Sequence, residues 1–357
     1  MSFSIPPEFD WPVQFCLFST AATYVASIVT SNVSQVDRLW TFLPTIYTAY
    51  FALLPLWPEE QPFYLAPYTP PALAAFAEEY NPRALLMLSL VVTWMFRLSY
   101  NTYRRGLFSL KDEDYRWAVL RSQLHPVLFQ ITNLTFISAI QNVLLLLLGI
   151  PTYVAATTPP QPLGAQDAVV AVLALLVLAV EFMADNQQFA YQSFKHEAER
   201  YDEYRQWPGA RLNWTPADRQ RGFLTRGLWA WSRHPNFACE QSFWWIMNFF
   251  SLREHHYPSE LFAILRARPI DTGALLRPLG PLVPALALSA LFFSSTLYTE
   301  AITAGKYPAY AAYRARVGMF SPVETPIKGV RLALAGDKAA VEQAVWGADV
   351  KGKGKVE

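Results

Sequence analysis

Residues 225–252 read TRGLWAWSRHPNFACEQSFWWIMNFFSL, a basic, polar knot that runs straight into an aromatic segment of near-membrane length. Pro235 suits the first turn of a helix, where the N–H it lacks would go unpaired anyway. A helix starting there leaves free amides at its N-terminus, and the helix dipole adds partial positive charge. With Arg233 and His234 beside them, those amides form a candidate seat for a phosphate or carboxylate. Equally, the two side chains could do no more than mark the membrane interface. One turn further in, Glu240 shares a face with Trp244 and Asn248 at i+4 and i+8. A carboxylate inside an apolar helix is costly unless it meets a cavity or a partner, which makes Glu240 a candidate functional group.

The alternation of charged blocks and apolar runs continues along the chain. Of 357 residues, 53% are hydrophobic and 16% charged, and the charges fall between long apolar runs. That pattern fits one polytopic membrane domain better than two soluble ones. Seven runs approach the roughly 20 residues needed to cross a bilayer. They are Trp11–Thr30, Leu39–Trp57, Ala84–Tyr103, Val127–Tyr153, Ala168–Gln188, Phe237–Leu252 and Pro281–Thr299. Met1–Asp10 carries no positive charge and leads into a full span, so no cleavable signal is expected. Both cysteines, Cys16 and Cys239, lie in apolar runs, which argues against a disulfide framework and against a thiolate metal site. A net charge of +1 without a basic arm gives no basis for a nucleic-acid partner.

The basic residues orient the spans. Arg104, Arg105, Lys111, Arg116 and Arg121 follow the third run, and Lys195 to Arg233 supply eight more between the fifth and sixth: Lys195, Arg200, Arg205, Arg211, Arg219, Arg221, Arg226 and Arg233. The segment after the seventh is also basic. The 154–166 loop has no Lys or Arg, and the 58–83 loop has only Arg83. The 253–280 loop, with four arginines, fits less well. The expected fold is therefore all-α: a polytopic membrane helix bundle of about seven transmembrane helices, N-terminus lumenal and C-terminus cytosolic. Residues 1–336 are expected to form a single domain, and 337–357, ending KGKGKVE, a disordered basic tail.

Polar residues inside these runs are the candidates for function. In the fourth, Gln130, Asn133 and Gln141 recur at helical spacing with Asn142 alongside; such amides either tie helices together or line a pocket. In the fifth, Glu181, Asp185, Gln188, Gln192 and Lys195 make one continuous face. Near the expected cytosolic side, Asp37 opens the second run, Arg97 lies about two turns inside the third, and Glu113-Asp114-Tyr115-Arg116-Trp117 follows it. Tyr310 and Tyr313, three apart on a basic amphipathic stretch, could stack on a nucleotide or lie on lipid headgroups.

These residues, in this order, resemble the steroid 5-alpha-reductase-like membrane proteins, and more closely their bacterial, plant and fungal relatives. The resemblance rests on GLWAWSRHPNF followed by Glu240, on Glu300…Tyr310-x-x-Tyr313…Pro322, on Val36-Asp37-x-x-Trp40, on Arg97-Leu98-Ser99-Tyr100 with Arg104-Arg105-Gly106, and on Glu181-x-x-Ala184-Asp185. It covers roughly Asn32 to Pro322. It implies a membrane-embedded, NADPH-dependent reductase acting on a carbon–carbon double bond of a sterol or other lipid, with residues 168–322 as the cofactor-binding half.

 In such enzymes the nicotinamide gives hydride to the β-carbon of an enone or activated alkene, and an acid delivers the proton. Carried onto matching positions, Arg233, His234 and Asn236 would hold NADPH near its diphosphate and amide. Glu240 would orient the nicotinamide end, Asp185 and Lys195 would border the nucleotide, and Tyr310 and Tyr313 would close over it. The implied partners are a lipid or sterol substrate and the membrane, with the endoplasmic reticulum as the expected location.

The family's His-rich stretch before its final Tyr-Pro is absent; Tyr298-Thr299-Glu300-Ala301 stands there. No counterpart of its N-terminal Gln-Glu pair is present either, so the proton donor does not carry over. Tyr100 or Tyr103 is expected in that role, because a phenol at the end of the third span could face the cavity. Two other readings compete. The RHP-type element with a later Glu and Tyr-x-x-Tyr also occurs in isoprenylcysteine and phospholipid methyltransferases, which bind S-adenosylmethionine. Those enzymes lack the N-terminal half. A non-catalytic sterol-binding membrane protein would keep the pocket and lose the chemistry.

Overall fold

A computed structural model describes residues 5–197, 199–252 and 280–347, together with residues 263 and 266. Most of the 253–280 loop and the last ten residues of the basic tail lie outside the described residues. The described chain is helical, with no strand among its residues; Ser232 and Gly318 make one isolated parallel bridge. In chain order the helices are α1 (Asp10–Thr30), α2 (Gln35–Leu39), α3 (Leu43–Ala52), α4 (Pro82–Arg104), α5 (Tyr115–Gln123) and α6 (Pro126–Thr132). There follow α7 (Gln141–Leu147), α8 (Ile150–Ala156), α9 (Ala165–His196), α10 (Pro216–Arg221) and α11 (Pro235–Leu252). The last four are α12 (Val283–Lys306), α13 (Tyr310–Arg316), α14 (Glu324–Ala335) and α15 (Lys338–Trp346).

Among the described residues, five helical stretches are long and apolar enough to cross a bilayer: Pro7–Thr30, Pro82–Arg104, Pro126–Ala156, Ala165–His196 and Gly280–Lys306. The run Leu39–Trp57 is instead divided into α2, α3 and a short 3-10 turn at Leu54–Leu56. Pro44 and Pro55 each open a new segment, because proline cannot donate to the turn before it. The run Phe237–Leu252 does form one helix, α11, but Asn236, Glu240, Gln241 and Asn248 dilute its apolar character. The fourth span carries a π-helical stretch, Asn133–Ile140, between α6 and α7.

The chain divides into two compact units: residues 1–175 with 243–290, and residues 176–242 with 291–357. In the first, α1 packs on the π-helical stretch and α7, while α3 packs on α4 and α8. The amides of the fourth span supply the polar pins. Asn133 Nδ2 donates to Ser27 Oγ at 2.8 Å, Asn142 Nδ2 to Thr23 Oγ1 at 3.3 Å, and Gln141 Oε1 accepts from Trp40 Nε1 at 2.8 Å. Asn133 and Gln130 also line a cavity of about 310 Å³.

The two charged clusters expected near the cytosolic side bond to each other. Asp37 Oδ2 accepts from Trp117 Nε1 at 2.9 Å, Glu113 Oε1 from the Val33 amide at 2.9 Å, and the Asp112 carbonyl from Arg38 Nη2 at 2.7 Å. In the second unit, residues 338–346 are helical rather than disordered. Val345 is buried in a cluster with Phe223, Tyr310, Tyr313 and Val317, and Glu342 accepts from Arg316 Nε at 2.8 Å. The start of the expected tail is therefore part of the core.

Arg83, the lone basic residue of the 58–83 loop, is buried against Asp167 at 2.9 Å. Its charge is cancelled locally. Replacing Arg83 with Ala leaves the Asp167 carboxylate buried without its counter-charge and should cost about 3–5 kcal/mol. The thermal-unfolding midpoint in detergent should fall accordingly, and the paired change Arg83→Met with Asp167→Leu should recover most of the loss.

Candidate functional site

The site candidates of the fifth and sixth runs, and those after the seventh, all lie in the second unit. Its organising group is Glu300, fully buried six residues before the end of α12. Arg233 Nε donates to Glu300 Oε1 at 2.6 Å and Nη2 to Oε2 at 3.2 Å. His234 Nε2 lies 3.0 Å from Oε1, the Tyr310 hydroxyl donates to Oε1 at 3.2 Å, and Arg314 Nε approaches Oε2 at 3.3 Å. Arg233 Nη1 donates to the carbonyls of Arg314 and Val317. The backbone follows the same path: the Arg233 amide donates to the Gly318 carbonyl at 2.9 Å and the His234 amide to Met319 at 3.1 Å.

This arrangement changes the roles expected of four residues. Arg233 is buried and its guanidinium is occupied by Glu300 and two carbonyls, so the anion it binds is one of the chain's own. His234 is held by the same carboxylate. Tyr310 and Tyr313 pack in the core of this unit with Phe223, Val317 and Val345. Both are buried, with Tyr313 donating to the Trp229 carbonyl. Burial, reinforced by the Glu300 charge, pushes the Tyr310 phenol above its ordinary value, which keeps it a neutral donor.

A second cluster lies along α9 and the start of α11. Asn236 Nδ2 donates to Asp185 Oδ1 at 3.1 Å, while Asn236 Oδ1 is buried with no hydrogen-bond partner. Gln188 Oε1, one turn beyond Asp185, is likewise buried and unpartnered. Glu181, Asp185 and Glu240 are buried. Proline opens α11 as its sequence requires, and Asn236 and Glu240 fall on its first two turns.

Lys195 sits at the end of α9, where Nζ donates to the Gly222 carbonyl at 2.8 Å and to the Tyr307 hydroxyl at 2.9 Å. Burial opposes ionisation of Tyr307, but the hydrogen bond and charge of Lys195, with Lys306, bring its phenol below the ordinary value. Gly222 has φ of 84°, and a Cβ there would lie 2.0 Å from Tyr307 Cε1. No side chain other than hydrogen fits. Tyr307 is the functional candidate that the sequence offers least evidence for. Tyr307 sits in a basic run, and only its contact with Lys195 distinguishes it.

Tyr100 and Tyr103 belong to the first unit and are 43% and 74% exposed. The Arg104 guanidinium covers the Tyr100 ring at 5.1 Å. No group of three or more His, Cys, Asp or Glu able to hold a metal occurs among the described residues.

These features define an all-helical integral membrane protein with buried polar residues inside its apolar helices. The chain belongs to the family described as "Protein of unknown function (DUF1295)", whose model matches residues 23–317. An uncharacterized protein of Schizosaccharomyces pombe is 31% identical over 297 residues, which cover 83% of this chain and 74% of the relative. No solved structure matches.

Glu300→Gln removes the charge while keeping the size. It should cost about 3–5 kcal/mol, because Arg233 is left buried without its counter-charge. Arg314→Ala, at a half-exposed partner, should cost no more than about 1 kcal/mol. Thermal-unfolding midpoints of the two variants in detergent should separate clearly. Gly222→Ala should be destabilising in the same assay, and adding Tyr307→Ala should restore only the part due to the clash, since the positive φ persists.

Proposed function

We propose that this protein is a membrane-bound, NADPH-dependent reductase of a carbon–carbon double bond in a sterol or other lipid. The observation that carries this reading is the Asp185–Asn236 pair with its open acceptor. Asp185 accepts from the Asn236 amide at 3.1 Å, which leaves Asn236 Oδ1 buried and unpartnered inside apolar helices. An unmet buried acceptor costs roughly 1–3 kcal/mol, so a ligand N–H or O–H that meets it gains by the same amount. NADPH carries such donors on its carboxamide and riboses, and the motif resemblance points to the same cofactor.

When bound, NADPH supplies the hydride for the reduction. The chain's own residues bind and orient. Asn236 and Gln188 accept hydrogen bonds, and Asp185 fixes which end of the Asn236 amide is the acceptor. Glu240, one turn beyond Asn236, offers a carboxylate to the same region of α11. Lys195, with its hydroxyl partner Tyr307, borders the site at the polar end of α9. Arg233 and His234 act at one remove: through Glu300 they set where α11 begins. Tyr310 and Tyr313 support that arrangement from the core.

The reading includes seven membrane crossings, with Leu39–Trp57 and Phe237–Leu252 as the two beyond the five long apolar helices. The positive-inside distribution supports an N-terminus in the lumen and a C-terminus in the cytosol, where NADPH is available. The endoplasmic reticulum is the proposed location.

Equilibrium binding of NADPH, NADH and S-adenosylmethionine to the detergent-purified protein tests the cofactor. NADPH should bind, and Asn236→Ala should weaken it about tenfold, the equivalent of one hydrogen bond of roughly 1.4 kcal/mol. Thermal midpoints of the variant should stay near the parent value. Binding of S-adenosylmethionine in place of NADPH would make the protein a methyltransferase instead, and binding of neither would favour a lipid-binding protein without chemistry.

A further inference from the structure

Helix α14, Glu324–Ala335, lies beyond the residues that the family model matches. It packs inward through Thr325 and Gly329, both buried. A Cβ at Gly329 would come within 3.3 Å of the Arg316 guanidinium, so the absent side chain lets that group lie against the helix. Thr325 Oγ1 accepts from the Gly318 amide at 2.8 Å and donates to the Trp231 carbonyl at 2.6 Å. One face is thus fully engaged.

The opposite face is apolar and open. Val323, Ile327, Val330 and Leu334 are 64%, 47%, 60% and 85% exposed. Their spacing of four, three and four residues gathers them into one stripe along the helix. Scattered apolar residues on a surface need no explanation, but a periodic stripe on one helix does.

The position of α14 in the unit identifies the occupant. The membrane span Gly280–Lys306 ends 17 residues before Val323, and the intervening chain is folded back onto that span. Tyr310 and Arg314 of α13 both reach Glu300, inside α12, and α14 packs on α13. The stripe is therefore held within one helix layer of the end of a membrane-spanning helix. Of the basic residues in 306–338, Arg314, Arg316 and Lys328 pair with Glu300, Glu342 and Glu324, while Lys306, Arg331 and Lys338 lie outside those pairs. An exposed apolar stripe with a basic surround is the pattern of a helix that lies in the plane of an anionic lipid surface.

We propose that α14 is an in-plane membrane anchor. Val323, Ile327, Val330 and Leu334 enter the boundary between headgroups and acyl chains, and the basic residues beside them meet anionic headgroups. This anchor is independent of which cofactor the protein binds.

Spin labels placed one at a time at positions 323, 327, 330, 334 and 331 test the proposal. The full-length chain, with Cys16 and Cys239 replaced by Ala, is reconstituted in vesicles of phosphatidylcholine and phosphatidylserine. Accessibility to oxygen, which partitions into the bilayer, is compared with accessibility to a water-soluble nickel chelate. The four stripe positions should be oxygen-accessible and several-fold more shielded from nickel than position 331. Nickel accessibility equal to that of position 331 would place the stripe in water and overturn the proposal. Shielding from both probes would also overturn it, because a protein surface or a second copy would then cover the stripe. Leu334→Asp in a protein of unchanged thermal midpoint should raise nickel accessibility at position 330; no change there would count against insertion.

Discussion

The second unit depends on one buried carboxylate. Glu300 sits within an apolar helix, where a lone charge would cost several kcal/mol. Arg233, His234, Tyr310 and Arg314 converge on it and make that burial tolerable. The donors come from two segments on either side of α12 in sequence, so the same contacts that satisfy the charge also draw those segments together. The backbone bonds from Arg233 and His234 to Gly318 and Met319 complete the join. An arginine that serves this purpose commits four of its five N–H donors to the chain itself. The basic knot before α11 therefore acts as a latch, and the open acceptors lie one turn further along, at Asn236 and on α9 at Gln188.

The first unit solves the same problem with neutral groups. Its membrane-length helices carry amides and hydroxyls, and Asn133, Gln141 and Asn142 each meet a partner on another helix. In an apolar surrounding such bonds add modest stability and strong orientation, because a rotated helix would leave both partners unmet. Charge is handled by pairing: Arg83 with Asp167 in the interior, and Arg121 with Glu113 at the surface. The buried pair explains why a basic residue stands in a loop otherwise free of positive charge.

Glycine marks where the second unit is most tightly fitted. Gly222 and Gly227 both adopt positive φ, and a Cβ at either would run into Tyr307 or Gln187. Gln187 in turn accepts from the Leu228 amide at 2.9 Å and donates to the Gly209 carbonyl at 3.0 Å. The loop between α9 and α11 is thus held by backbone approach that only glycine permits. That constraint fixes how the Arg233–His234 segment arrives at α12.

Much of the helical architecture was legible in the amino-acid order, because long apolar runs and the prolines at helix starts act locally. Five of the apolar runs correspond to membrane-length helices, and Pro235 opens α11 where its chemistry requires. The unusual character of Glu300, Asp185, Glu240 and Arg233 was also legible, since charge inside or beside an apolar run is costly whatever surrounds it. Partners were not. Whether Arg233 meets a phosphate or Glu300 depends on residues 67 positions apart. Whether Tyr310 and Tyr313 face a ligand or the core depends on Phe223, Val317 and Val345, which no local pattern connects to them. The helical fate of residues 338–346 has the same cause, because a short segment orders only when tertiary packing compensates its conformational entropy. Sequence determined which groups could not be left in an apolar setting alone; tertiary structure decided which other groups satisfied them, because pairing is a property of distance in space.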